Sequence, residues 1–175
     1  MGGGLVAKVE YCGVSPWEVE VAHECLGAVF ELDESEAGMP EGGAAGRLRI
    51  GLPVAFGDGF FEWFGLRRWE RLKALLGEMK RRRGGRAGSL EVRIDFAGEP
   101  QVSFVVDSAD RGLFANSLEK IDYVPETMPH HLAGRPAGGP LVYRFGAHTR
   151  RWAPEPPRGG GAGAPGGPSG AGGAR

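Results

Sequence analysis

The sequence predicts a two-layer α+β fold: a curved antiparallel sheet of about five to six strands with two helices packed on one face. Several short stretches alternate apolar and polar residues with the period of a strand, and two longer ones repeat apolar residues at helical spacing. Short polar turns separate the strands, and strands joined by short loops pair antiparallel. Each element has one apolar side, so one layer of helices on one sheet is the economical way to bury them all.

In chain order, Leu5–Tyr11 alternates Leu5, Ala7, Val9 and Tyr11 against Val6, Lys8 and Glu10, a strand period. Gly13 to Pro16 interrupts it. Residues 17–24 alternate again, with Trp17, Val19, Val21 and His23 on one side and Glu18, Glu20 and Glu24 on the other. After Gly27 the apolar positions become Ala28, Phe30 and Leu32, a parity change that a bulge or tight turn at the glycine would produce. Residues 17–33 are therefore expected as one bulged strand or two strands meeting at Leu26-Gly27. Residues 34–46 read as a polar loop. Arg47–Val54 is a strand with Leu48, Ile50, Leu52 and Val54 inside and Arg47 and Arg49 outside. Gly57-Asp58-Gly59 is a turn, and Asp58 is placed to cap a helical turn beginning at Phe60.

Leu66–Arg82 carries Leu66, Trp69, Leu72, Leu76 and Met79 on one helical stripe. The helix should end near Arg82, where Gly84-Gly85 follows and Lys80–Arg82 suit its negative end. Ser89–Phe96 and Gln101–Val106 are strands joined by Ala97-Gly98-Glu99-Pro100, a hairpin connection. Ser108 can cap a second helix bearing Leu113, Phe114, Leu118 and Ile121, which Pro125 and Pro129 close. Residues 130–140 read as a loop and Leu141–Phe145 as a last short strand.

Residues 1–152 are expected as a single α+β domain and 153–175 as a disordered tail. The tail is nearly all Gly, Pro, Ala, Ser and Arg, with no large apolar side chains to offset its ordering entropy. The apolar fraction, 41%, supports a core in the remainder. Cys12 and Cys25 do not make a disulfide framework. No apolar run is long enough to span a bilayer. The first residues lack a basic region followed by an apolar one, and Val6 stands where a myristoylation pattern wants Ser or Thr. A cytoplasmic protein without membrane attachment is expected.

Net charge is −1, so no global field draws the chain to an anionic polymer. The charge nevertheless alternates by block. Residues 1–46 hold nine acids and one lysine, and residues 47–88 hold eleven bases and four acids. Residues 89–133 hold eight acids and three bases, and the remainder six arginines and one acid. Cancellation between neighbouring elements is the simplest account.

No G-x-S-x-G, Walker or dinucleotide-binding pattern occurs before the tail, so no catalytic residue and no cofactor is assigned. The candidate binding surface is the aromatic turn Phe60, Phe61, Trp63 and Phe64 with the basic exit Lys80, Arg81, Arg82, Arg83 and Arg86. Aromatics beside arginines have the composition of an interface hot spot, although a satellite core would use the same aromatics. Weak metal candidates are His130, His131 and Glu126, beside Glu119 and Asp122. Cys12, His23 and Cys25 have no regular ligand spacing, and burial in the core explains the cysteines as well. The favoured function is a non-catalytic domain that binds another protein. One alternative is nucleic-acid binding through the basic cluster, another a metal-dependent enzyme using His130 and His131. The architecture is similar to adaptor and immunity modules, an analogy that transfers no residues.

Overall fold

The computed structural model describes residues 4–38, 45–83, 89–133, 135 and 138–156. In order the elements are β1 (Val6–Cys12), α1 (Pro16–Gly27), β2 (Glu31–Glu36), β3 (Gly46–Leu52), α2 (Asp58–Phe64) and α3 (Leu66–Arg82). They continue with β4 (Leu90–Phe96), β5 (Val102–Val106), α4 (Arg111–Glu119), a 3-10 turn (Ile121–Tyr123), α5 (Val124–Leu132), β6 (Leu141–Gly146) and β7 (Arg151–Pro154). All seven strands form one sheet in the order β2-β1-β3-β4-β5-β6-β7. No helix among the described residues is long and apolar enough to cross a membrane.

The sheet is mixed, which corrects the expectation of an antiparallel sheet of five to six strands. Strands β1 and β2, β3 and β4, and β5 and β6 pair in parallel. Each parallel pair is bridged by helix, as parallel neighbours require. The chain is thus three successive β-α-β units joined by antiparallel pairings, β1 with β3 and β4 with β5, and closed by β7 on β6. The expected hairpin of β4 and β5 is present.

Helices cover one face of the sheet, as expected, but there are more of them than the two foreseen. Arg71 of α3 pairs with Glu24 of α1, and Lys73 of α3 reaches Glu119 of α4 and Asp122 of the 3-10 turn. The third unit starts in the same strand direction as the first but steps to the opposite side. With its helices on the same face, its crossover has the opposite hand to the other two. Right-handed crossovers are the near-universal rule, so at least one unit departs from it.

Register explains the core. Val9, Ile50, Ile94, Phe104 and Tyr143 stand side by side across five strands, and all are buried beneath the helices. Phe96 lies at the centre, edge-on to Phe56, Phe60 and Phe104 at 5.0, 4.9 and 6.2 Å.

Residues 17–24 form helix α1 rather than a strand. Ser15 and Glu18 make a reciprocal capping box: the Ser15 N–H donates to Glu18 Oε2 at 2.8 Å, and the Glu18 N–H to Ser15 Oγ at 3.4 Å. Pro16 adds the fixed φ suited to a first helical turn. The buried stripe is Glu18, Ala22, Cys25 and Leu26, a helical spacing, while Trp17 and His23 are exposed. Strand β2 occupies part of the expected loop 34–46. The second expected helix starts after Asp110, whose side chain accepts from the Leu113 N–H, and not after Ser108. Pro125 opens α5 instead of closing α4, and this puts His130 and His131 in a helical last turn. Strand β7 runs past residue 152, where the domain was expected to end, while residues 157–175 of the expected tail lie outside the described residues.

Phe96→Ala should lower unfolding stability by about 3–5 kcal/mol, read as a lower urea midpoint at unchanged slope. Leu66→Ala, at a side chain 62% exposed, should stay within about 0.5 kcal/mol of the parent.

Candidate functional site

The aromatic turn divides between core and surface. On α2, Phe60 stacks on Phe64 at 5.3 Å and Phe61 meets the Trp69 ring at 5.5 Å. Phe60, Phe61 and Phe64 are buried, so three of the four expected contact aromatics have no face to offer a partner. Trp63 is different. It rests edge-on against Phe30 at 5.5 Å and remains 47% exposed. Gly65, at φ +91°, breaks the helix directly after Phe64 in a conformation that favours glycine. The Arg68 guanidinium donates to the Phe64 carbonyl at 2.9 Å and closes the corner. Leu66 starts α3 on the outside of this corner, although helical projection places it with the buried stripe. Arg67 and Arg68 beside it are exposed.

The basic exit is engaged within the fold. Lys80 is buried, with its ammonium 5.6 Å from the Phe114 ring; burial and then the Arg111 charge pull its pKa below the ordinary value, against Asp110. Arg81 and Arg82 share Glu78, with nitrogens 2.7 and 2.9 Å from Oε1. Hydrogen bonds from these two arginines draw Glu78 down to about 2. Arg82 also lies over the Trp17 ring at 4.1 Å. Arg83 forks onto Glu18 at 2.6 and 2.8 Å and donates to the carbonyls of Met79 and Gly13 at 2.9 and 2.8 Å. Gly13 sits at φ +59°, where a Cβ would fall 2.1 Å from the Ala45 oxygen, so this loop needs glycine. Arg86 lies outside the described residues. Arg82 and Arg83 therefore clamp the end of α3 to the start of α1, while Lys80 packs against α4 and Arg81 stays on its own helix. A phosphate backbone needs free cations, and this cluster offers few among its described residues.

Acidic residues near the histidines are likewise engaged. Lys73, itself buried, meets Glu70 at 2.8 Å, Asp122 at 3.0 Å and Glu119 at 3.3 Å. Desolvation lowers its pKa, but hydrogen bonds to Glu70 and Asp122 with the nearby carboxylate charges outweigh it and hold the ammonium protonated. Asp122 also accepts from the indole N–H of the buried Trp69. His131 Nδ1 shares a hydrogen bond of 3.0 Å with the hydroxyl of Tyr143, whose pKa burial pushes up to about 12. Burial, then the charges of His130 and Arg135, hold His131 below its ordinary value. His131 thus satisfies a buried phenol, while His130 and Glu126 are exposed. Cys12 and Cys25 are buried and unpaired, and burial pushes the Cys25 thiol up, away from the thiolate a metal would need. Among the described residues no three His, Cys, Asp or Glu side chains come together as a metal-binding group.

The uncovered face of the sheet holds a further polar cluster. Asp95, buried on β4, accepts from Arg49 at 2.6 Å, Arg93 at 2.7 Å and Ser103 Oγ at 2.5 Å. Burial raises its pKa, yet the bonds from Ser103, Arg93 and Arg49 bring it below the usual carboxylate value. Arg49 extends the chain to Glu10 at 3.4 Å, and Arg47 pairs with Glu91 at 3.0 Å. Each strand alternates core and open face, so this network follows from the pleat.

Fold and surface together describe a three-unit α+β protein with a mixed sheet, an exposed aromatic corner at Trp63 and a charge-paired open face. Comparison with known proteins finds no match: no family model, no curated protein and no solved structure aligns significantly with the chain.

Glu18→Gln should cost about 3 kcal/mol at neutral pH by leaving the Arg83 fork half-paired. Burial raises the Glu18 pKa, but Arg83 and Ser15 together bring it below the ordinary value. The carboxylate's contribution is therefore present above the usual carboxylate range and lost as pH falls through the depressed folded value. Urea unfolding from neutral pH to about pH 3 should show the gap between variant and parent narrowing with acid.

Proposed function

We propose that the protein is a non-catalytic module, of the adaptor or immunity type, that binds another protein through the corner formed by Trp63 and Leu66. The observation that carries this reading is the exposure of these two large apolar side chains, three positions apart, beside a cluster whose other aromatics are buried. Tryptophan and arginine are the residue types most enriched where interface energy concentrates. Trp63 is held against Phe30 and the corner is closed by Arg68, so little ordering cost attends binding there. Arg67 and Arg68 supply a cationic rim. The contact surface is thus narrower than the stretch 60–86 and lies at its first end.

Copurification from source cells tests this with three forms of the chain: parent, Trp63→Ser/Leu66→Ser, and Arg81→Glu/Arg82→Glu. A partner retained by the parent and the charge-reversed form, and lost by the apolar-to-serine form at similar melting temperature, is the expected result. Retention of every partner by Trp63→Ser/Leu66→Ser would remove the corner from the contact surface.

A further inference from the structure

We infer that strand β2 accepts an extended, lysine- or arginine-rich segment of another protein, which adds to the sheet as an eighth strand. This goes beyond the Trp63 corner and does not depend on it. Strand β2 ends the sheet. Its inner side pairs with β1 from Val6 opposite Glu31 to Tyr11 opposite Glu36. The N–H groups of Glu31 and Ala37 donate inward, to the carbonyls of Leu5 and Tyr11 at 2.9 and 2.7 Å. With a period of two, the backbone groups of Leu32, Glu34 and Glu36 point away from β1, and no described strand meets them. Such a row of free donors and acceptors is a template for one more strand.

Charge selects the occupant. Four of the six β2 residues are acidic: Glu31, Asp33, Glu34 and Glu36. The side chains of Glu34 and Glu36 border a cleft of about 750 Å³ between β2 and α1, with Tyr11, Val14 and Val19 on its apolar side and Glu20 on its rim. Elsewhere among the described residues most carboxylates on the helices and the open face have a cationic partner, and those without one, such as Asp58, Glu62 and Glu99, are scattered singly. Here, among the described residues, Glu20, Glu31, Asp33 and Glu36 have no lysine or arginine within ion-pair distance, and Glu34 has only His23 at 3.8 Å. A cationic strand along β2 would meet Glu31 and Asp33 on the open face and Glu34, Glu36 and Glu20 on the cleft side. Its apolar residues would have Val14 and Val19 to cover. The same acids refuse a second copy of β2, because pairing it with itself sets carboxylate against carboxylate. The other sheet edge, β7, is short and ends in Pro154, which has no N–H for a ladder.

The probe is a fluorescein-labelled alternating Lys-Val octapeptide, titrated into the full chain and read by anisotropy. An alternating Lys-Pro octapeptide of equal charge, unable to form a ladder, is the control. Saturable binding of Lys-Val, weakening with added NaCl and exceeding Lys-Pro by at least about tenfold, is expected. Glu34→Pro removes an outward N–H together with one carboxylate, and Glu34→Gln removes the carboxylate alone; the proline form should abolish that preference and the glutamine form keep it, while thermal melting of both stays cooperative. Amide exchange should slow at Leu32, Glu34 and Glu36 when Lys-Val is bound. Trp63→Ser/Leu66→Ser should leave the titration unchanged, which separates this site from the corner. Equal binding of both peptides would reduce β2 to a charged surface and overturn the inference, as would no binding of either at low salt. Sedimentation showing that the chain alone forms open-ended assemblies would also overturn it, by giving β2 to another copy's β7.

Discussion

Helices pack on one side of the seven-stranded sheet, and among the described residues nothing comparable covers the other. In the central strands alternate side chains therefore bury themselves under the helices while their neighbours lie on the open face. On the covered side the result is a continuous apolar row from Val9 to Tyr143. On the open side it is a lattice of arginines and carboxylates centred on the buried Asp95. Arg49 reaches Asp95 from the neighbouring strand and Arg93 from the same strand, so two guanidiniums hold one buried carboxylate.

That constraint also accounts for the block pattern of charge along the chain. Many of the ion pairs run between blocks. Glu18 and Glu24 of the first meet Arg83 and Arg71 of the second. Lys73 of the second meets Glu119 and Asp122 of the third, and Arg144 of the last meets Asp107 of the third at 3.0 Å. Among the described residues unpaired acids occur singly elsewhere, but at β2 they gather, and there acids of the first block face outward. Of the basic residues after Met79, Arg83 is held across blocks by Glu18, and Arg81 and Arg82 are held by Glu78 of their own helix.

Helix α3, the β4–β5 hairpin and the strand at Leu141 were legible because amphipathic period, turn residues and apolar faces all agree there. Helix α1 was not, because Trp17, Val19, Val21 and His23 happen to alternate. The deciding signal was local chemistry: Ser15 with Glu18 three residues on, and Pro16 between. Strand β2 was foreseen only over residues 31–33, because most of its residues are acidic and an edge strand with one half-buried apolar residue, Leu32, has little alternation to show. The parallel pairing of β1 and β2 went unseen as a consequence, whereas β3 with β4 and β5 with β6 flank foreseen helices and were missed because the pattern does not say which strands are sheet neighbours. At the candidate site the sequence marked the right neighbourhood but could not separate Trp63 from Phe60, Phe61 and Phe64. That division depends on Gly65 turning the chain and on Phe30 arriving from another unit.

The first two units, β1-α1-β2 and β3-α2-α3-β4, relate by a rotation of half a turn about an axis normal to the sheet, passing between β1 and β3. Strand directions, helix side and order all obey it, much as two copies would across a self-complementary interface. Under that rotation the outer edges of β2 and β4 are equivalent. Strand β5 closes the edge at β4, and nothing described closes the one at β2. The third unit, of opposite hand, stands outside the symmetry and breaks it. What would otherwise be a two-ended object thus acquires a single polarity, with one of two equivalent edges retired and the other left available.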